Sequence, residues 1–305
     1  MELMNRMTSH TVSAAASGTW PLGDLTVNRI GFGGMRLTGS AAFHQGTPSD
    51  RGQAIAVLRR AVDLGVNHID TAAFYFSRLR SANELINSAL APYADGLVIA
   101  TKVGPARNLS GEWAEPARPD QLRGQVEENL RQLGRDHLDV VNLRVMGQDS
   151  ISEHFGALAE LREAGLVRHL GVSGARLEHL AQAEAIAPVV CVQNQFGLDA
   201  PDGEEMLRAC AARGIAFVPF FSIAGEGREA GAVRGEHDAV LAVAREHGAS
   251  PAQIRLAWTL HQGTHVLAIP GTGNPDHLVD NVAAGALRLT EEQFQLLHSI
   301  GRSAS

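Results

Sequence analysis

Only two cysteines, Cys191 and Cys210, occur in 305 residues. That is too few for a disulfide framework. Each reads as a small buried apolar residue, and a reducing cytoplasm is the natural setting. No apolar run approaches the ~20 residues needed to span a bilayer. Asp and Glu (33) outnumber Lys and Arg (26), the net charge is −7 and the basic residues are dispersed. No electrostatic footprint for nucleic acid is therefore visible. The thirteen histidines are scattered, and no His/Cys/Asp cluster has metal-ligand spacing. No Ser-His-Asp arrangement or nucleophile elbow appears. Arg29–Met35 (RIGFGGM) runs into glycines but lacks the G-x-G-x-x-G spacing before a helix, which excludes a Rossmann fingerprint. No linker or composition shift divides the chain, so residues 18–305 read as one domain. Residues 1–17 are polar and Ala/Ser-rich, without the apolar core of a signal peptide, and read as a disordered leader.

What is present is alternation. Hydrophobic content of 45% and charged content of 19% fit a soluble globular chain. Gly18–Ile30 contains two short β-like pieces around Leu22-Gly23-Asp24, a hairpin placed to plug one end of a barrel. Beyond it, short β-branched runs alternate with helical periodicities that stop at glycine, the signature of a parallel sheet. Predicted strands are Val66–Asp70, Leu97–Lys102, Leu138–Leu143, Val167–Ser173, Val189–Gln193, Ile215–Phe220 and Thr264–Pro270. With Arg29–Met35 and the intervening helices they make eight strand–helix units, which favours a closed (β/α)8 TIM barrel with extra C-terminal helices. The loop Gly104–Pro119, rich in Gly, Pro and Trp, carries no predicted element.

In such a barrel the site is built from the residues that end the strands. These are Gly33, Gly34 and Met35; Asp70 with Tyr75; Lys102; Asn142 and Arg144; Ser173; Gln193; Phe220 with Ser222; and Pro270-Gly271-Thr272. An Asp, a Tyr and a Lys from neighbouring strand ends can share one pocket. On those three residues alone, a buried ion pair beside a core tyrosine is an equally good reading.

The ordered set IDTAAFY, ATK, LGVS, VQNQF and IPGTGNPDHLVDN, on a (β/α)8 pattern, resembles the aldo-keto reductases from about Leu22 to the C-terminus. LDVVNLRVM and IAFVPFF look like the bacterial branch that includes pyridoxal reductases. The resemblance implies carbonyl reduction, with Tyr75 as general acid. A free tyrosine, with pKa ~10, is a weak donor near neutrality. Lys102 is expected to lower that value; at ~4 Å and an effective dielectric of ~20, one charge is worth up to ~4 kcal/mol. Asp70 would hold Lys102 charged. Arg144 stands where the family commonly has histidine, and would polarise the carbonyl rather than relay a proton. Ser173 and Gln193 match positions that hold the nicotinamide carboxamide, with Gly174 in place of the family's asparagine. Phe220 matches the ring that stacks on the nicotinamide. Ser222 and Gly225 fall in the loop over the pyrophosphate. Pro270, Gly271, Thr272, His277, Asp280 and Asn281 match the adenosine end, at a helix N-terminus suited to phosphate. Lysine and arginine are common at two of these positions, where this chain has Gly271 and His277. The implied cofactor is NADPH, with NADH left open. Phe43, Phe74, Phe76 and Trp113 are candidates for the substrate wall, and Phe76, in place of a usual glycine, is expected to narrow it.

Two other readings compete. One is a catalytically silent nicotinamide-binding subunit or sensor, motivated by Arg144, Gly174 and Phe76. The other is a cofactor-independent lyase with Lys102 as a Schiff-base amine, which needs a neutral lysine. The partner in the favoured reading is a small carbonyl compound, with no nucleic acid and no membrane. Oligomeric state is not legible.

Overall fold

A two-stranded antiparallel hairpin, β1 (Thr19–Leu22) and β2 (Leu25–Asn28), opens the fold in the computed structural model. The structure describes residues 12–39, 47–108, 110–200, 202–220, 222–223 and 236–302. Leu22 and Val27 point into a cluster with Val98, Ala100, Val140, Cys191, Ala216 and Leu267, so the hairpin caps the inside of the sheet as expected. Apolar residues on alternate strand positions face this interior, while the others face the helices. Phe217, Ile69 and Val141 belong to the larger outer layer between strands and helices.

The seven parallel strands are β3 (Phe32–Gly33), β4 (His68–Asp70), β5 (Val98–Val103), β8 (Leu138–Arg144), β9 (Val167–Ser173), β10 (Val189–Gln193) and β11 (Ala216–Phe217). They run in the order β11-β10-β9-β8-β5-β4-β3. The expected eighth strand, Thr264–Pro270, forms only single parallel bridges, Val266 to Phe217 and Ala268 to Ile30. Those bridges close the ring. Leu267 N donates to Phe217 O at 2.9 Å, and Gly31 N donates to Ala268 O at 2.8 Å. The fold is a (β/α)8 barrel. Among the described residues, no helix is long and apolar enough to cross a membrane.

Helices α1 (Arg51–Asp63), α2 (Ala82–Leu90), α3 (Leu122–Leu133), α4 (Ser152–Glu163), α5 (Leu177–Glu184) and α6 (Glu204–Arg213) cover the outside. They are followed by α7 (Asp238–His247), α8 (Pro251–His261), α9 (Pro275–Ala283) and α10 (Glu291–Arg302). A capping box at Thr290 opens α10: Gln293 N donates to Thr290 Oγ1, and Thr290 N to Gln293 Oε1.

Two expectations need correction. The disordered leader does not extend through residue 17. Ala14–Ser17 form a 3-10 turn, Ala14 is buried in the core, and Ser17 Oγ accepts from Ile30 N at 3.0 Å. Small side chains let this turn pack closely against the barrel. The Gly104–Pro119 loop also contains a short antiparallel ribbon, β6 (Ala106–Arg107) with β7 (Trp113–Ala114).

Candidate active site

Parallel register aligns the polar strand ends. Gly33 pairs with Asp70, Lys102 with Asn142, Arg144 with Ser173, and Ser173 with Gln193. All of these except Asn142, which is buried and accepts from Cys191 Sγ, line a cavity of about 380 Å³ at the carboxyl end of the barrel. Of the expected site residues, Gly33, Met35, Asp70, Phe74, Tyr75, Lys102, Trp113, Arg144, Ser173, Gln193, Phe220 and Gly271 line it.

Lys102 is the centre of the polar network. Its Nζ donates to Asp70 Oδ1 at 2.6 Å and to the Thr71 carbonyl at 2.9 Å, and lies 4.8 Å from the Tyr75 ring centroid. Gln193 Nε2 donates to Asp70 Oδ2 at 2.8 Å, so both carboxylate oxygens are engaged. Burial pulls the Lys102 ammonium down, but Asp70, helped by Tyr75, outweighs it and its pKa ends raised. Lys102 is also the only lysine in the chain; the rest of the 26 Lys and Arg residues are arginines.

The expected lowering of the Tyr75 pKa is not what the site produces. Burial pushes the phenol up, Lys102 offsets part of that, Asp70 adds to it and Arg144 pulls slightly back, with a net rise. The cause is desolvation. Tyr75 packs edge-on against Phe74, with ring centroids 5.1 Å apart, in a cluster with Ala72 and Ala82.

Arg144 reaches across the strand ends. Its Nη1 donates to Ser173 Oγ at 3.3 Å, and its guanidinium carbon lies 5.1 Å from the Phe220 ring centroid. Gly174 makes this possible. At φ +64° it carries no side chain, and a Cβ there would sit 2.6 Å from Arg144 Nη1. The arginine therefore occupies the space that a side chain at 174 would fill.

Other expected residues lie elsewhere. Phe76 does not line the cavity; its ring is turned under Arg107, whose guanidinium carbon is 4.1 Å from the ring centroid. Its expected narrowing of the pocket is thus replaced by a supporting contact. Gly34 packs its backbone near Asp70 O, and Ser222 is buried and does not line the cavity. Thr272 lines a second cavity of about 440 Å³ that shares Arg36 and Gly271 with the first. Pro270 leads into that loop, where Thr272 Oγ1 accepts from Asn274 N at 3.0 Å. On α9, Asn281 is buried while His277 and Asp280 are exposed. Phe43 and Gly225 lie outside the described residues.

Two features escaped the sequence reading. Arg107 Nη1 donates to the carbonyls of Phe74 (2.9 Å) and Phe76 (2.8 Å), the two residues that flank Tyr75. Its partners are backbone atoms, so no pattern of side chains marks it. A buried chain also runs behind the strand ends. Thr71 Oγ1 donates to Asn83 Oδ1, Asn83 Nδ2 to Asn129 Oδ1, and Thr101 Oγ1 to Asn129 Oδ1. That Lys102 is the chain's one lysine is a further signal beside its strand-end position.

A nicotinamide ring fits the donor set: the Ser173 hydroxyl, the Gln193 amide and the Phe220 ring face one cavity. Gly33 and Gly271 approach backbone to backbone beside it; a Cβ on Gly271 would lie 2.5 Å from Gly33 O. The loop floor is therefore smooth enough for a flat group.

Residues 29–302 match the aldo/keto reductase family model. Pyridoxine 4-dehydrogenase of Escherichia coli is 42% identical over 294 residues, 94% of this chain and 99% of the relative. An uncharacterized oxidoreductase of Schizosaccharomyces pombe is 37% identical, across 97% and 94% of the two chains. Among solved structures, an aldo-keto reductase of Klebsiella pneumoniae in complex with NADP and acetate superposes with a TM-score of 0.72 at 27% identity. That match covers 90% of this chain and 91% of the other. With the barrel, the strand-end constellation and these matches together, the chain belongs to the aldo/keto reductase family of NAD(P)H-dependent oxidoreductases acting on a carbonyl/alcohol pair.

Proposed function

We propose that this protein reduces an aldehyde or ketone of about pyridoxal's size to the alcohol, with NADPH as reductant and Tyr75 as the proton donor. The observation that carries the reading is the Asp70–Lys102 pair, buried at 2.6 Å and set against the Tyr75 ring at the cavity wall. The likeness to pyridoxine 4-dehydrogenase supports the substrate size, and the NADP-bound relative supports the cofactor.

Ser173, Gln193 and Phe220 would hold the nicotinamide, which would supply the hydride. Tyr75 supplies the proton to the carbonyl oxygen. Its raised pKa keeps it protonated through neutrality, so it acts as an acid and not as phenolate. Lys102 stays charged beside it and stabilises the phenolate left after transfer. Asp70 keeps that charge in place, and Gln193 fixes the carboxylate from its second oxygen. Phe74 and Trp113, with centroids 5.8 Å apart, form an apolar side of the cavity that limits water around the reacting carbonyl. Lys102 held as an ammonium opposes the Schiff-base reading, which needs the free amine.

The test is cofactor oxidation by purified protein with pyridoxal and a panel of aromatic aldehydes and ketones, NADPH and NADH in parallel. Neutral Gly271 and exposed His277 make the cofactor comparison informative. Turnover with NADPH supports the reading. Tight cofactor binding with no turnover of any carbonyl returns the silent-binder alternative.

A further inference from the structure

Arg144 is a charge in search of a partner. It lines the cavity, and the hydrogen bond from its Nη1 to the neutral Ser173 hydroxyl is long, at 3.3 Å. Among the described residues it forms no ion pair with any carboxylate. Asp70, the carboxylate that lines the cavity, already has Oδ1 on Lys102 and Oδ2 on Gln193. Lys102 and Asp70 cancel, and Arg144, together with Arg36 which also lines the cavity, leaves it with positive charge. An incompletely paired guanidinium in a partly desolvated site is costly, and a ligand that brings the counter-charge recovers that cost.

The shape of the group narrows the ligand. A guanidinium is a planar fork that holds two acceptor oxygens side by side. Here the fork lies over the Phe220 ring and in the space left by Gly174, next to Tyr75. A carbonyl oxygen held for protonation by Tyr75 would meet one tooth of the fork, and the other tooth would face a neighbouring oxygen.

Resting on the reductase reading, we infer that Arg144 selects carbonyl substrates with an ionised oxygen beside the reacting carbonyl, as in the phenolate of an ortho-hydroxyaryl aldehyde. The two oxygens share the fork, and the oxyanion supplies the missing counter-charge. The chemistry of the reduction is unchanged: hydride reaches the carbon, and Tyr75 protonates the former carbonyl oxygen.

The experiment compares 2-hydroxybenzaldehyde, 2-methoxybenzaldehyde and 4-hydroxybenzaldehyde with wild-type protein, Arg144→Met and Arg144→Lys. The 2-methoxy compound cannot ionise, and the 4-hydroxy compound ionises out of reach of the fork. First, without cofactor and at a pH where free 2-hydroxybenzaldehyde is neutral, wild type converts its absorption to the phenolate band on binding, and Arg144→Met does not. Borohydride treatment and mass measurement exclude an imine with Lys102, the one lysine. Second, the kcat/KM ratio of the 2-hydroxy to the 2-methoxy compound falls by about 30-fold in Arg144→Met, the scale of losing a charge-assisted pair of hydrogen bonds. Arg144→Lys keeps the charge, loses the fork and gives an intermediate ratio. A ratio unchanged in both variants, with no phenolate band in wild type, overturns the inference. An equal loss for all three aldehydes that follows weakened NADPH binding also overturns it, assigning Arg144 to the cofactor. No turnover of any aldehyde defeats the reductase reading instead, and the cofactor-free spectrum still decides this inference.

Discussion

Arg107 holds the carbonyls of the two residues that flank Tyr75, and its own side chain is held by Gly111 O at 2.9 Å and by the Phe76 ring. It touches none of the reacting groups. With Tyr75 as the proposed proton donor, Arg107 would act by placing it, and misplacement of a proton donor by ~1 Å can cost ~100-fold in rate. Arg107→Ala is expected to lower kcat by roughly 10- to 100-fold, with a much smaller change in cofactor affinity measured by fluorescence titration. Arg107→Lys should restore part of the loss, because one ammonium can reach one of the two carbonyls. A kcat loss that only follows lowered melting temperature would assign Arg107 a purely structural role. At this scale the sequence was legible where side chains meet side chains. Asp70, Tyr75 and Lys102 could be named from their strand ends. The direction of the Tyr75 shift could not, because desolvation depends on how tightly Phe74, Ala72 and Ala82 enclose the ring. Phe76 was misplaced for a related reason: its direction is set by Arg107, thirty-one residues away.

Elements hold the site through a polar strut as well as through apolar packing. Asn129 on α3 accepts from Thr101 on β5 and from Asn83 on α2, and donates to Gln125 O at 2.8 Å. Asn83 in turn accepts from Thr71, the residue after Asp70. All four side chains are buried. Removing one member of a buried network leaves the others unpaired, at roughly 1–3 kcal/mol for each orphaned group. Asn129→Ala is therefore expected to lower unfolding stability by about 2 kcal/mol or more in urea titration. Loss of under ~0.5 kcal/mol would show that the strut is not stabilising. Longer strands were legible: the spans of β9 (Val167–Ser173) and β10 (Val189–Gln193) agree with the pattern. Short pieces were not. The segment Thr264–Pro270 reads as a strand but forms only bridges, and the β6–β7 ribbon has two residues on each side. Hydrophobic periodicity has no power over two residues.

The whole barrel has a pH sensitivity seated beneath its site. His68, 1% exposed on β4, is held down to about 4 from 6.5 by burial, opposed by Asp70 and helped by Lys102, and its Nδ1 has no hydrogen-bond partner among the described residues. In the unfolded chain this imidazole takes a proton near pH 6.5, while in the folded chain it stays neutral until about 4. Unfolding therefore binds a proton in that window, and stability falls as pH drops from about 6.5 to about 4. The contribution is about 3 kcal/mol, and it levels off below the folded value. In His68→Asn the stability difference from wild type should shrink by that amount across the window, measured by denaturant titration; parallel curves would contradict it. Closure of the barrel was legible from eight alternating units, since parallel strands need both faces covered. At the same scale, we propose that the barrel brings Tyr75, Lys102 and Asp70 together to protonate a carbonyl during reduction by a nicotinamide cofactor. The direct measurement is kcat for pyridoxal reduction in wild type and Tyr75→Phe, with NADPH affinity measured separately on each. The account predicts a loss of at least ~100-fold in kcat with affinity nearly unchanged. Wild-type turnover that persists in Tyr75→Phe would contradict it.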